Sequence, residues 1–316
     1  MPHVLVAGKL HPSGLAVLQA APGLTFTHVE EISEASYAPL MHGADALILR
    51  TQPLTAATVA LSPRLRIVSR HGVGYDAVDL PALNARAIPL CIVGDVNSVS
   101  VAEHAMMLIL ACAKQLIRAD RATRLGPWGW RNTLQAGEVS GRRLLIVGYG
   151  RIGRHLARMA AGFGMEIRAV DPFLAAQGWP DATLPTTLAE GLAWADILSV
   201  HVPKTGAPLI GAAELALLRP GAIVVNTARG GIVDEAALAA ALQSGHLAAA
   251  GLDVLEVEPP PPGHPLLALS NLILTPHIAG LSRQSAERMA VSSAQNVIDF
   301  FAGSLDPDLI VNKDAL

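Results

Sequence analysis

The glycines of Gly148-Tyr149-Gly150-Arg151-Ile152-Gly153 stand directly after an apolar run, Leu144–Val147, and open a helix-like stretch reaching Phe163. Such spacing suits a pyrophosphate. Gly148 permits a tight turn, Gly150 lets the main chain approach a ligand with no Cβ in the way, and Gly153 allows close helix–strand packing. Arg151 and Ile152 fall in the first helical turn, where free N–H groups and the positive end of the helix dipole favour an anion. Asp171 ends the next strand-like run, Ile167–Val170, eighteen residues beyond Gly153, where a carboxylate accepts hydrogen bonds from an adenosine ribose. Pro172-Phe173-Leu174 offers no Arg or Lys to offset repulsion of a 2′-phosphate, so NAD is expected over NADP. A helix cap is the other reading of Asp171.

Arg229, Glu258 and His277 stand at ends of strand-like runs, in Asn226-Thr-Ala-Arg-Gly230, Asp253-Val-Leu-Glu-Val-Glu-Pro259 and Thr275-Pro-His-Ile-Ala-Gly280. Open α/β sheets bind ligands at strand carboxyl ends. Adding a hydride to a carbonyl carbon leaves an alkoxide, which requires a cation and a proton source beside that oxygen. Arg229 stays charged at any working pH and can hold a planar carboxylate through two parallel hydrogen bonds. His277 can carry the proton near neutrality, and a carboxylate such as Glu258 stabilises its imidazolium. Each residue alone also has a plainer reading: a satisfied structural histidine, a solvated glutamate, an Arg229–Asp234 ion pair. Gly72-Val73-Gly74 can offer main-chain N–H groups to a substrate carboxylate, or form a simple turn. Arg50 and Arg70 follow runs in the first part of the chain, positioned either for a second anion such as a phosphate or for ordinary surface ion pairs.

The elements that must hold these residues read as α/β. The chain has 316 residues, 51% hydrophobic and 4% aromatic, enough for two domains with separate cores. A net charge of −3 gives no basic field for nucleic acid. The longest apolar run, Ala105–Ala113, is nine residues, too short for a bilayer, and a cytoplasmic protein without membrane partners is expected. Cys91 and Cys112 form no motif and read as reduced, buried thiols; no metal site is expected. Val4–Ala7, Leu47–Leu49, Ile67–Ser69 and Ile88–Cys91 alternate with helix-like stretches as one small βα domain. Ser98 to about Arg124, with no Gly or Pro before Gly126, predicts one helix leaving it. A second βα series runs through Leu144–Val147, Ile167–Val170, Ile197–Val200, Ile223–Asn226 and Leu272–Leu274, and a final helix over Ser282–Phe301 returns to the first domain.

Together these segments resemble the NAD-dependent D-2-hydroxyacid dehydrogenases, phosphoglycerate dehydrogenase among them, over essentially the whole chain. His71-Gly-Val-Gly-Tyr-Asp76, Asn97-Ser-Val-Ser-Val-Ala-Glu103 and His201-Val-Pro-Lys-Thr205 also carry the resemblance. It implies two doubly wound domains: a Rossmann NAD-binding domain over 98–283 and a flavodoxin-like, discontinuous substrate domain over 1–97 and 284–316. It implies that Arg229 binds the substrate carboxylate and polarises the ketone, and that His277, oriented by Glu258, donates and accepts the proton. Cofactor contacts are further implied for His201, Val202, Pro203, Thr227, Ala228, Asp253 and Gly280, and substrate contacts for Gly72, Val73, Gly74, Asn97 and Arg50. A homodimer is expected, with Trp128 and Trp130 at a two-fold interface or in plain packing. The stretch Lys204-Thr-Gly-Ala-Pro208 looks about two residues shorter than the family's usual one, and no regulatory domain is expected after Leu316. The expected substrate is a small 2-hydroxy or 2-keto acid, D-3-phosphoglycerate ahead of glyoxylate or hydroxypyruvate. The rival readings are an NAD(H)-sensing, corepressor-like binding protein, set against by the short end of the chain, and a formate-type dehydrogenase, set against by the Glu258–His277 couple.

Overall fold

The computed structural model describes all of residues 1–316 except 127, 180, 182 and 205. Pro127 of the tryptophan segment and Thr205 of the His201 motif therefore lie outside the described residues. The chain divides into two compact units, Met1–Asn97 with Leu281–Leu316, and Ser98–Gly280.

The first unit holds a parallel sheet of β1 (His3–Ala7), β2 (Thr25–Val29), β3 (Ala46–Leu49), β4 (Ile67–Arg70) and β5 (Leu90–Cys91), in the order β2-β1-β3-β4-β5. That is the flavodoxin-like order, with its switch point between β1 and β3. Alternate side chains enter two cores. Leu5, Leu47, Leu49 and Val68 pack with Tyr37, Met41 and Leu83, whereas Val4, Val6, Ile48 and Ile67 pack with Leu18, Ala290, Ala294 and Val297. The last three belong to the helix Arg283–Ala302, capped by Ser282 Oγ accepting from Ser285 N–H at 3.0 Å and stopped at Gly303, φ +73°. At 20 residues it runs about 30 Å.

The second unit holds β6 (Arg143–Val147), β7 (Glu166–Val170), β8 (Leu184–Pro185), β9 (Ile197–Val200), β10 (Ala222–Asn226), β11 (Leu247–Leu252) and β12 (Leu272–Leu274), all parallel, in the order β12-β11-β10-β9-β6-β7-β8. Reversal beside β6 gives the Rossmann order with an added outer strand. Leu144, Ile146, Ile197 and Val225 face the helices Ser98–Ala113 and Arg151–Gly162, and Leu145, Val147, Leu198 and Val224 face the other way, toward Leu192, Leu215 and Leu238. Runs apolar on both faces are what a sheet covered by helices on each side requires.

The single helix expected from Ser98 to Arg124 is two, Ser98–Ala113 and Leu116–Leu125, bent by 57°. Gln115 adopts a left-handed φ of +53°, and the Ala113 carbonyl accepts from Gly137 N–H at 2.8 Å, so a distant loop caps the first helix. No local breaker marks that point. β2, β8 and β11 were not expected; β11 reads Leu-Ala-Ala-Ala-Gly-Leu, a composition suited to a helix. It is small because a helix lies on it: a Cβ on Gly251 would sit 2.9 Å from Leu108 Cβ. Both cysteines are buried, and burial pushes their thiols up to about 12. No single described helix is long and apolar enough to cross a membrane, and the bent pair that passes by length and composition buries Val101, Ala105, Leu108, Ile109 and Cys112 in the core.

Candidate active site

The residues singled out in the second unit all lie at the carboxyl edge of its sheet, because each begins the loop that leaves a strand. Gly148 follows β6, Asp171 follows β7, His201-Val202-Pro203 follows β9, Thr227-Ala228-Arg229 follows β10, Asp253 follows β11, and His277 and Gly280 follow β12. Parallel register alone brings them to one side.

At the glycine loop, Gly148 takes φ +94°, and a Cβ there would stand 2.6 Å from the His201 carbonyl oxygen. Gly153 is closed as well, with a Cβ 2.3 Å from Gly148 O. Gly150 differs: nothing lies within 4 Å of its Cβ position, and it caps the helix Arg151–Gly162 with no side-chain hydrogen bond. The turn and the packing therefore leave an open cradle at a helix N-terminus, with Arg151 exposed and Ile152 half-buried beneath it. Asp171 serves as a cap after all, its Oδ1 accepting from Phe173 and Leu174 N–H at 3.0 and 3.2 Å. Its Oδ2 accepts from Tyr149 N–H at 2.9 Å, tying it to the glycine loop. Oδ1 thus has both acceptor positions engaged, and Oδ2 keeps a second lone pair for a ribose hydroxyl.

Two buried polar atoms on this edge have no partner, His201 Nδ1 and Thr227 Oγ1. Burial pushes the His201 imidazole down to about 4, which keeps it neutral. Unpaired buried polar atoms are costly unless something bonds them, so an open cradle beside two orphaned atoms fits a polar cofactor. Val202, whose Cγ1 would meet a Cβ on Gly148 at 2.9 Å, and half-buried Ala228 supply apolar surface next to them.

Arg229, Glu258 and His277 come together. Glu258 Oε2 accepts from His277 Nδ1 at 2.7 Å, and its Oε1 accepts from Leu255 N–H at 2.9 Å. The glutamate is therefore fixed at both ends, leaving His277 Nε2 as the ring's other nitrogen. The hydrogen bond to Glu258 raises the His277 pKa against the opposing effect of burial, while Arg229 lowers it. For Glu258, burial pushes up, but His277, the Leu255 amide and Arg229 together hold the carboxyl below its ordinary range. Asn226 staples the Arg229 loop, its Nδ2 donating to Arg229 O at 2.8 Å and its Oδ1 accepting from Ala228 N–H at 2.9 Å. A Cβ on Gly230 would stand 1.9 Å from Leu255 O, so only glycine lets that loop press against the segment carrying Glu258. Asp234 caps its own helix, its Oδ1 accepting from Ala237 N–H at 2.8 Å.

Asp253, expected as a cofactor contact, also organises the loop after β12. Its side chain is fully buried, Oδ1 accepting from Thr275 Oγ1 at 2.6 Å and Ile278 N–H at 2.9 Å, and Oδ2 from Ala279 N–H at 2.7 Å. Together with its main-chain oxygen accepting from His277 N–H at 2.8 Å, it folds the loop that holds His277 at φ +52°. Tertiary contacts must sustain that left-handed residue. His104 Nε2, 2.9 Å from Thr275 Oγ1, ties the same cluster to the helix Ser98–Ala113. Of these, Asn226, Gly230, Thr275 and His104 escaped the sequence reading; only the Asp253 carboxylate at a strand end signalled anything there.

A family model described as the NAD binding domain of D-isomer specific 2-hydroxyacid dehydrogenases matches residues 106–279. The chain belongs to the D-isomer specific 2-hydroxyacid dehydrogenase family. The chain is 38% identical over 314 residues to a D-3-phosphoglycerate dehydrogenase of Mycobacterium leprae, a match covering 98% of the chain and 59% of the relative. The chain thus spans about three-fifths of that relative's length. It is 40% identical over 277 residues to a glyoxylate reductase of Korarchaeum cryptofilum, covering 84% of the chain and 82% of the relative. Among solved structures, an NADPH-dependent glyoxylate/hydroxypyruvate reductase from Sinorhizobium meliloti superposes with a TM-score of 0.85 at 30% identity, over 99% of this chain and 98% of that one.

In the first unit the expected substrate residues also follow strands: Arg50 after β3 and Gly72-Val73-Gly74 after β4, with Asn97 half-buried at the end of the segment beyond β5. Gly72 has φ +150° and Val73 is exposed. In the second unit, Trp128 and Trp130 sit in a single 3₁₀ segment, Trp128–Thr133, and Trp128 is 67% exposed.

Proposed function

We propose that the protein reduces a small 2-keto acid to the D-2-hydroxy acid, and catalyses the reverse, with NAD(H) as cofactor. The observation that carries this is the His277–Glu258 pair at 2.7 Å with Arg229 acting on both, on the sheet edge that also carries the glycine cradle. Bound nicotinamide supplies the hydride. Arg229 holds the substrate carboxylate and draws charge from the ketone; His277, protonated, gives its Nε2 proton to the carbonyl oxygen as the alcohol forms. Glu258 keeps the ring oriented from Nδ1 and stabilises the imidazolium. In oxidation the neutral ring takes the hydroxyl proton back.

The cofactor is held by the amides at the start of the helix Arg151–Gly162, by Asp171 toward the ribose, and by His201, Thr227 and Gly280 along the edge. Asp171, with no cation in the three residues after it, supports NAD over NADP. For the substrate, Arg50 and Arg70 support an acid with a second anionic group, as does the likeness to D-3-phosphoglycerate dehydrogenases over 98% of the chain. Glyoxylate or hydroxypyruvate is the second reading, favoured by a glyoxylate reductase matched over most of both lengths.

The decisive assay follows NADH and NADPH oxidation with phosphohydroxypyruvate, hydroxypyruvate, glyoxylate, oxaloacetate and pyruvate. The expected result is turnover with NADH, highest for phosphohydroxypyruvate. Tight NADH binding with no turnover on any acid overturns the reading in favour of a nucleotide sensor, and equal use of NADPH overturns the role of Asp171. A homodimer is proposed as the working assembly, supported by exposed Met107, Leu116, Ile117, Leu125 and Trp128 on one stretch of the second unit. Light scattering at the mass of one 32.9 kDa chain would reject it.

A further inference from the structure

We propose that Glu235 is a positioning residue for the proton transfer, holding the loop that carries Glu258 through a carboxylate bridge from Glu256 to His264. The inference rests on the dehydrogenase reading above and goes beyond it, since Glu235 acts on His277 only through that loop. The loop leaves β11 at Asp253 and ends at the 3₁₀ turn Pro265–Ala268. Glu235 is the first residue of the helix Glu235–Gln243, which Asp234 caps, so its carboxylate has a fixed base at the favourable end of the helix dipole. Its Oε1 accepts from Glu256 N–H at 2.5 Å, and its Oε2 lies 3.2 Å from His264 Nε2. The Glu235 side chain is 12% exposed and that of His264 21%, so the bridge is shielded from most of the solvent. One carboxylate thus joins two points eight residues apart, and Glu258 lies between them.

The bridge bears on Glu258 through a single peptide unit. The Leu255–Glu256 peptide has its carbonyl pressed on Gly230, where a Cβ would stand 1.9 Å from the oxygen, and its N–H on Glu235. A planar unit held at both ends cannot rotate, and this steadies the preceding amide, Leu255 N–H. That amide is the donor to Glu258 Oε1 at 2.9 Å, and Glu258 Oε2 in turn holds His277 Nδ1 at 2.7 Å. At the far end Gly263 turns at φ +82°, His264 N–H donates to Pro261 O at 3.1 Å, and Leu266 is buried in the core. Val257, beside Glu258, is 61% exposed, so packing does not hold the middle of the loop and hydrogen bonds must. The charged groups acting on His277 are Glu258, Arg229 and Asp253. His264 faces Glu235, with Asp234 beside it on the same helix, while Lys204 and Glu256 both come within 4 Å of the Cβ position of Gly231. Without the bridge the Leu255 amide is free to leave Glu258, and the hold of that carboxylate on His277 weakens.

The test is the proton titration of His277 in the full chain, followed by NMR on histidine-labelled protein and assigned by the signal that His277→Ala removes. Alongside it runs the pH profile of reduction by NADH, with whichever 2-keto acid of the panel above is turned over. In Glu235→Ala the His277 midpoint moves to lower pH, and turnover at mildly alkaline pH falls about 3-fold while the acidic plateau and NADH affinity are kept. Glu235→Gln, which retains an acceptor for the Glu256 amide, restores most of the midpoint and of the limb. If Glu235→Ala does not fold, His264→Ala acts at the other end of the loop and moves the midpoint the same way by a smaller amount. An unmoved midpoint in Glu235→Ala, or in His264→Ala where that is the variant that folds, overturns the proposal and leaves the dehydrogenase reading intact. So does a shift that Glu235→Gln fails to restore, or a loss of turnover equal at every pH. A midpoint that moves as expected in a protein that reduces no acid upholds the bridge and removes the dehydrogenase reading.

Discussion

Two histidines stand just past strand ends in two parallel sheets, and the molecule treats them in opposite ways. His277, in the second unit, is half exposed, bonded through Nδ1 to a carboxylate, and raised in pKa. His71, in the first, is buried, and burial, then the charges of Arg50 and Arg70, push it down to about 4. A parallel sheet delivers loop residues to one edge regardless of their chemistry; the neighbours then decide how tightly an imidazole holds a proton. Burial and the groups around each ring, not its place in the fold, set its affinity for a proton.

The contrast can be broken most strongly at His277. Replacing it with Ala should lower turnover by about 10²–10⁴-fold with NADH affinity retained, measured by steady-state kinetics and fluorescence titration; near-normal turnover would remove the residue from the mechanism. Stability against acid sharpens the difference from the other side. Because the folded pKa of His71 lies below the unfolded value of about 6.5, the folded state binds fewer protons in that window, and stability is lost as pH falls from about 6.5 toward about 4. The full window corresponds to roughly 3 kcal/mol, and His71→Gln should flatten the fall in denaturant midpoint on acidification by up to that amount. His277 has the reverse sign: its pair with Glu258 contributes stability below the unfolded pKa, and the contribution disappears as pH rises through the raised folded value. The smallest effect is expected at Glu258. Glu258→Gln lowers the His277 pKa, so the limb of the reduction profile that needs the protonated ring moves to lower pH, with a loss of about 10-fold at mildly alkaline pH. An unmoved limb would show that Glu258 does not set it.

Much of the site was legible in the residues. Gly148, Gly150 and Gly153 announced a turn, an open approach and a close packing, and the spaces at their Cβ positions divide in that way. Arg229 and His277 were marked by the apolar runs before them. β11 was hidden because its small residues answer to Leu108 on a helix far away in sequence, and the break at Gln115 because the loop amide of Gly137 makes it. The loop-folding role of Asp253 was not legible, since a strand-end carboxylate looks the same in sequence whether or not it bonds the loop beside it.

Local pattern therefore determined the α/β class, the glycine loop and the candidate groups at strand ends, since periodicity, glycine placement and side-chain chemistry are properties of short segments. What only tertiary structure decided is the state of those groups: which histidine is paired, which is buried beside cations, and which carboxylate is spent on its own loop. Proton affinity and hydrogen-bond satisfaction depend on atoms brought near by strand pairing across tens to hundreds of residues, and no window of sequence contains them.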